Sequence, residues 1–68
     1  MEAFAKRLRE LRESYGYTQK QVAEKLHICQ QSYARYEIDT GEPSLTTLVK
    51  LSQLFEVSVD YLLGISDT

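Results

Sequence analysis

Gln30, Gln31 and Arg35 are the side chains of this 68-residue sequence whose types and spacing suggest chemistry. A glutamine amide offers a donor and an acceptor side by side, matching adenine N6 and N7. Arginine offers paired donors that match guanine O6 and N7. Gln31 and Arg35 stand four residues apart, so a helix places them on one face, with Gln30 beside Gln31 in its first turn. Such a face can hydrogen-bond to base-pair edges; it cannot break bonds. Taken singly, the three are a polar surface patch, and only the surrounding frame raises them above that.

That frame is the stretch 18–37, TQKQVAEKLHICQQSYARYE. Thr18 followed three residues later by Gln21 is a capping-box start, and Val22, Ala23 and Leu26 share one helical face. His27-Ile28-Cys29 then supplies a tight turn, with His27 where a positive φ is needed, Ile28 to bury, and Cys29 to cap the next helix. The second helix, Gln30 to about Ile38, turns Tyr33 and Tyr36 inward with their hydroxyls reaching water or a phosphate. Helix, short turn, helix with a polar outer face is the arrangement that reads DNA. His27 has no second histidine and only one cysteine nearby, whereas metal sites need three or four convergent ligands, so no metal is expected. Cys29 at a helix start is open to a lowered thiol pKa and redox sensing, but replacement of a capping serine is the simpler account.

The flanking elements must hold this frame. Phe4, Leu8, Leu11 and Tyr15 recur at helical spacing and predict a first helix over 2–15, ended by Gly16, with Tyr17 as an apolar staple ahead of Thr18. Asp39-Thr40-Gly41-Glu42-Pro43 reads as a loop, and Ser44 as the cap of a fourth helix. Leu45, Leu48, Val49, Leu51, Leu54 and Phe55 make that helix apolar enough to be central to the core. Ser58 caps a short fifth helix over 59–63, with Asp60 in its first turn; Gly64 ends it and 65–68 fray. The prediction is an all-α, compact five-helix domain spanning 1–68.

A hydrophobic fraction of 43% suits a folded chain, and the single cysteine forbids an internal disulfide. No apolar run approaches the roughly 20 residues of a membrane span, and the start lacks a signal-peptide pattern, so a soluble, cytoplasmic protein without membrane contact is expected. The net charge of −2 is not that of a strongly basic nucleic-acid binder. Its distribution is uneven. Residues 1–36 carry Lys6, Arg7, Arg9, Arg12, Lys20, Lys25 and Arg35 against Glu2, Glu10, Glu13 and Glu24, while 37–68 carry Lys50 against Glu37, Asp39, Glu42, Glu56, Asp60 and Asp67. A basic DNA face and an acidic back, or an ordinary solvated surface, both fit. No nucleophile–base pair, metal cluster or phosphate-cradling loop is present, so no enzyme, cofactor or small-molecule ligand is expected.

The chain resembles the Cro/repressor (XRE) helix-turn-helix family of bacterial and phage transcriptional regulators. The likeness rests on Thr18-Gln19, Val22-Ala23, Leu26, Ile28, Tyr33, Arg35-Tyr36-Glu37, Pro43-Ser44, Leu48 and the ending Val57-Ser58-Val59-Asp60-Tyr61-Leu62-Leu63-Gly64. The Gln30-Gln31-Ser32 opening is similar to that of a lambdoid phage repressor. The resemblance implies a lambda-repressor-like fold, with its helix-turn-helix at 18–37. It implies that Gln30, Gln31 and Arg35 read bases in the major groove. Thr18, Gln19, Arg12, Ser32 and Tyr36 would touch the DNA backbone, and Arg12 would pair with Glu37. The segment 55–65, through Phe55, Val57, Val59, Tyr61, Leu62 and Ile65, would form a homodimer contact. A two-fold dimer would read palindromic half-sites about one helical turn, roughly 34 Å, apart.

Two departures stand out. Asp39 occupies a place where the family commonly has Gly or Asn, and Asp39 and Glu42 replace basic loop residues, so modest affinity and a shallow salt dependence are expected. His27 stands where the turn usually has Gly. The expected function is a sequence-specific regulator of transcription, most simply a repressor, with no evident effector domain. A protein-interaction adaptor or antitoxin-like protein with weak or no DNA binding is the alternative.

Overall fold

Five α-helices, α1 (Glu2–Ser14), α2 (Gln19–Leu26), α3 (Gln30–Glu37), α4 (Leu45–Leu54) and α5 (Val59–Leu62), make up the computed structural model, which describes residues 2–68. There is no strand among the described residues. Each helix sends one fully enclosed side chain to a shared centre: Leu8, Val22, Tyr33, Leu51 and Leu62 are all 0% exposed. Phe4, Ala23, Leu26, Leu48 and Phe55 complete the core. α3 packs against α1 and α2, and α5 against α1 and α4, so α1 is the element common to both halves.

All five helices end in the same way. Gly16, His27, Asp39, Glu56 and Gly64 adopt positive φ (73°, 59°, 62°, 56° and 79°). At each end the next residue's N–H donates five residues back, from Tyr17 to the Arg12 carbonyl, Ile28 to Ala23, Thr40 to Arg35, Val57 to Ser52 and Ile65 to Asp60. This closure satisfies carbonyls that the helix itself leaves open. Only two of the five residues are glycine. The other three hold a left-handed backbone that costs a side-chain-bearing residue about 1 kcal/mol or more.

The helices keep their expected places with small shifts at the ends. α1, α3 and α5 each stop one residue early, because Tyr15, Ile38 and Leu63 fall in the closing turn. Ser44 and Ser58 cap as expected, accepting from the backbone N–H groups of Thr47 and Tyr61. α4 is less central than its composition suggests. Leu48 and Leu51 are buried, but Leu45 is 82% and Val49 47% exposed, since α4 packs mainly against α2 and α5 and its outer face is left uncovered by the described residues. The expected dimer segment needs a correction too. Phe55 (1%) and Leu62 (0%) are core side chains with no surface to offer a second chain. Val57, Val59 and Tyr61 are half-buried, and Ile65 is exposed.

The carboxyl-terminal segment is tied down by Arg7 of α1, one of the basic residues for which a DNA face and a solvated surface both fit the sequence. Arg7 Nη1 donates to the carbonyls of Tyr61 (2.6 Å) and Ser66 (2.7 Å), and its guanidinium lies 4.3 Å from the centre of the Tyr61 ring. Ser58 Oγ adds a bond to the Thr68 carbonyl, so the segment expected to fray is ordered across α5.

Candidate nucleic-acid interface

The start of α2 is built by a reciprocal cap: Gln21 N–H donates to Thr18 Oγ1 at 3.0 Å, and Thr18 N–H to Gln21 Oε1 at 2.8 Å. Thr18 is exposed, and the backbone N–H groups of Gln19 and Lys20 have no intrahelical acceptor at this position. Such a helix start is suited to an anion. At the other end His27 takes the left-handed conformation and swings the chain into α3.

Cys29 occupies the cap position of α3 but makes no side-chain cap bond. Its sulfur lies 3.1 Å from Ser32 Oγ instead. Either the thiol or the hydroxyl can donate in this contact, and the sulfur is a weak partner in both roles. The Ser32 contact lowers the exposed thiol's pKa. It also occupies the Ser32 hydroxyl, a residue expected to face the DNA backbone.

α3 is sharply divided. Gln30, Gln31 and Arg35 are exposed along one side, while Tyr33 and Glu37 are buried on the other. The inward turn of Tyr33 goes further than expected: its hydroxyl is fully enclosed, beside the Glu37 carboxylate. Burial, and then the neighbouring Glu37 carboxylate, push its pKa far up. Tyr36 is half-buried, its ring edge-on to Tyr33 at 6.2 Å. The acidic loop runs close beside this helix. A Cβ on Gly41 would sit 3.2 Å from Arg35 Cβ and 3.8 Å from the Tyr36 ring, so only glycine lets the loop pass there undisturbed.

Behind α3 lies a polar hub. Arg12 Nε donates to Glu37 Oε2 at 2.6 Å, its Nη2 to Oε1 at 3.1 Å, and its Nη1 to the Tyr17 carbonyl at 3.0 Å. Gln19 Nε2 gives Glu37 Oε1 a further bond at 3.1 Å. The side chains of Arg12 and Glu37 are only 14% and 3% exposed. Burial alone would raise the Glu37 pKa, but hydrogen bonds from Arg12, Tyr33 and Gln19 outweigh it and hold the carboxyl below its ordinary value. The same carboxylate raises the Arg12 pKa. Two expectations change as a result. Arg12 has each of its three nitrogens bonded inside the protein, so it braces rather than grips a phosphate. Gln19 is half-buried and turned toward Glu37 rather than outward. Spacing gave Gln19 no such role, because the bond joins residues 18 apart in sequence.

The basic surplus available to a phosphate backbone is therefore smaller than the sequence count. Arg7 and Arg12 are engaged internally, Arg9 pairs with Glu13 at 3.5 Å, and Lys25 lies 5.0 Å from the Tyr17 ring centre.

A buried-backed helix presenting two glutamines and an arginine, preceded by a capped helix and a left-handed turn, is matched by the helix-turn-helix family description over residues 8–62. The chain belongs to the helix-turn-helix family. Within this helix-turn-helix, α2 and α3 are the paired helices and α1, α4 and α5 their support. The HTH-type transcriptional regulator ImmR of Bacillus subtilis is 52% identical over 62 residues, 91% of this chain and 49% of its own length. The uncharacterized HTH-type regulator YobD of the same organism is 45% identical over 64 residues, 94% of this chain and 57% of its own. The cryptic phage CTXphi transcriptional repressor RstR of Vibrio cholerae is 38% identical over 58 residues, covering 85% of this chain and 52% of its own length. The chain thus spans about half the length of the curated relatives it matches.

Proposed function

We propose that this helix-turn-helix domain, formed by residues 1–68, binds double-stranded DNA sequence-specifically and regulates transcription in the cytoplasm, most simply as a repressor that covers a promoter. The observation that carries this is the division of α3: Gln30, Gln31 and Arg35 are exposed on one side while Tyr33 and Glu37 anchor the other. Gln30, Gln31 and Arg35 read base edges in the major groove. Thr18 and the first backbone N–H groups of α2 hold a phosphate, with Tyr36 and Ser32 at the edge of the same surface. The names of ImmR and RstR, a regulator and a repressor, support the reading.

The protein acts as a homodimer on a palindromic operator. Its contact lies over 57–65, through Val57, Val59, Tyr61 and Ile65, without the core residues Phe55 and Leu62. The acidic loop beside Arg35 and the few free basic side chains predict modest affinity with a shallow salt slope. Selection of sites from random duplex DNA tests the proposal. An enriched palindrome is expected, and Gln31→Ala should cost about 1–3 kcal/mol at one base pair and relax preference there.

A second reading, an adaptor or antitoxin-like protein with weak or no DNA binding, draws on the same acidic loop, whose Gly41 passes close to Arg35. No enrichment even at low salt would favour it.

A further inference from the structure

α2 and α3 form a V. The turn at His27–Cys29 joins them at the apex, and Gln19 and Glu37, the first residue of one helix and the last of the other, stand at the open ends. The Gln19 Nε2 bond to Glu37 Oε1, 3.1 Å, is the side-chain bond that spans this opening. Glu37 can serve as an anchor because its carboxylate is itself fixed: it is 3% exposed and held by two Arg12 nitrogens from α1. From apex to open end each helix runs about 10 Å. Letting the open end move by about 1 Å would rotate one arm against the other by roughly 6° on that length.

We propose that the Gln19 side chain is a positioning residue, a strut that closes the open end of the helix-turn-helix and fixes the angle between the phosphate-holding helix and the base-reading helix. It acts through Glu37 rather than by touching DNA. This rests on the DNA-binding reading above and adds a division of labour within it. General DNA affinity comes from the start of α2 and the basic side chains, and is insensitive to a few degrees of rotation. Base readout needs Gln30, Gln31 and Arg35 to reach several edges at once, and hydrogen bonds weaken steeply with misalignment. Loss of the strut therefore costs discrimination rather than binding as such.

The test compares two probes, the duplex enriched from a random pool and a scrambled duplex of the same length and composition. Gln19→Met keeps the side chain's length and apolar stem but cannot donate. The expected result is a ratio of binding between the enriched and the scrambled duplex that falls about five- to tenfold, less than the full worth of a hydrogen bond to a charged group. Equal weakening of both would show Gln19 to be a phosphate ligand and overturn the proposal, as would no change in either. Gln19→Lys restores an N–H donor within reach of Glu37. Its added charge strengthens binding to both duplexes alike, so the ratio between them should return to the wild-type value; a ratio that stays low overturns the strut. Backbone amide shifts of Gln30, Gln31 and Arg35 in Gln19→Met protein report the rotation without DNA, and unmoved shifts also count against it. If no duplex is enriched at all, it is the DNA-binding reading that fails, and the amide shifts still decide whether the strut exists.

Discussion

Arg7 and Arg12 lie five residues apart on α1, and both are spent inside the protein, but on different kinds of partner. Arg12 meets a carboxylate that is almost wholly enclosed and braces the helix-turn-helix half. Arg7 meets two backbone carbonyls and the fully exposed Asp67 side chain, 3.6 Å away, and clasps α5 and the tail. The difference lies in what each leaves behind when removed. Without Arg12, a charged group is stranded away from water, whereas without Arg7 the freed carbonyls can be hydrated. The two halves of the molecule are thus each held by an α1 arginine, with unequal consequence.

The largest expected effect follows directly. Arg12→Ala should destabilise the protein by about 3–5 kcal/mol in denaturant unfolding, because Glu37 is left buried and unpaired. Replacing both partners, Arg12→Met with Glu37→Leu, should restore most of that loss. A double variant as unstable as the single one would mean that packing, not the stranded charge, sets the cost. The same pair predicts an acid response. Because the folded-state pKa of Glu37 is lowered, its contribution is complete above the unfolded carboxylate value, about 4.3, and is lost as pH falls through the folded value. The melting temperature should fall more steeply below about pH 4 in the wild type than in Glu37→Gln.

At the other end of α1, Arg7→Ala should cost about 1 kcal/mol, a hydrogen-bond loss discounted for partial exposure. Faster amide hydrogen exchange should be confined to 58–68. A loss as large as that from Arg12→Ala would erase the contrast between the two arginines.

The sequence told these two residues apart only in part. The Arg12–Glu37 pairing came from family resemblance, not from spacing. Nothing marked Arg7 as different from Lys6 or Arg9, because its partners are carbonyls, which every residue carries. The caps at Thr18, Ser44 and Ser58 were readable since capping depends on a local side chain, and so was the left-handed His27. Glu56, which ends its helix in that same conformation, was not, because glutamate is not a residue type that selects it, whereas Asp39 shares with His27 a type enriched at positive φ. The outward Leu45 and Val49 escaped for another reason: in a helix apolar nearly all round, the pattern does not say which face finds a partner. At the candidate site the directions of side chains were the part that sequence could not show, as Gln19 and Ser32 illustrate: each is turned toward a neighbour within the protein.

Glu56 offers the smallest effect and the finest cut between the halves. It closes α4 with φ 56°, next to the buried Phe55, and accepts a bond of 3.3 Å from the Tyr15 hydroxyl at the end of α1. Glu56→Gly relieves the left-handed backbone but loses that exposed bond and adds freedom to the unfolded chain, so a net gain of roughly 0.5 kcal/mol is expected. Where the gain appears matters more than its size. α1 threads both halves, and the five enclosed side chains meet in one centre, so the halves should unfold together. Amide protection should then rise in α2 and α3 as much as in α4 and α5. Protection gained only in α4 and α5 would mean that the clasped half opens on its own, and that the helix-turn-helix stands on the Arg12 brace without it.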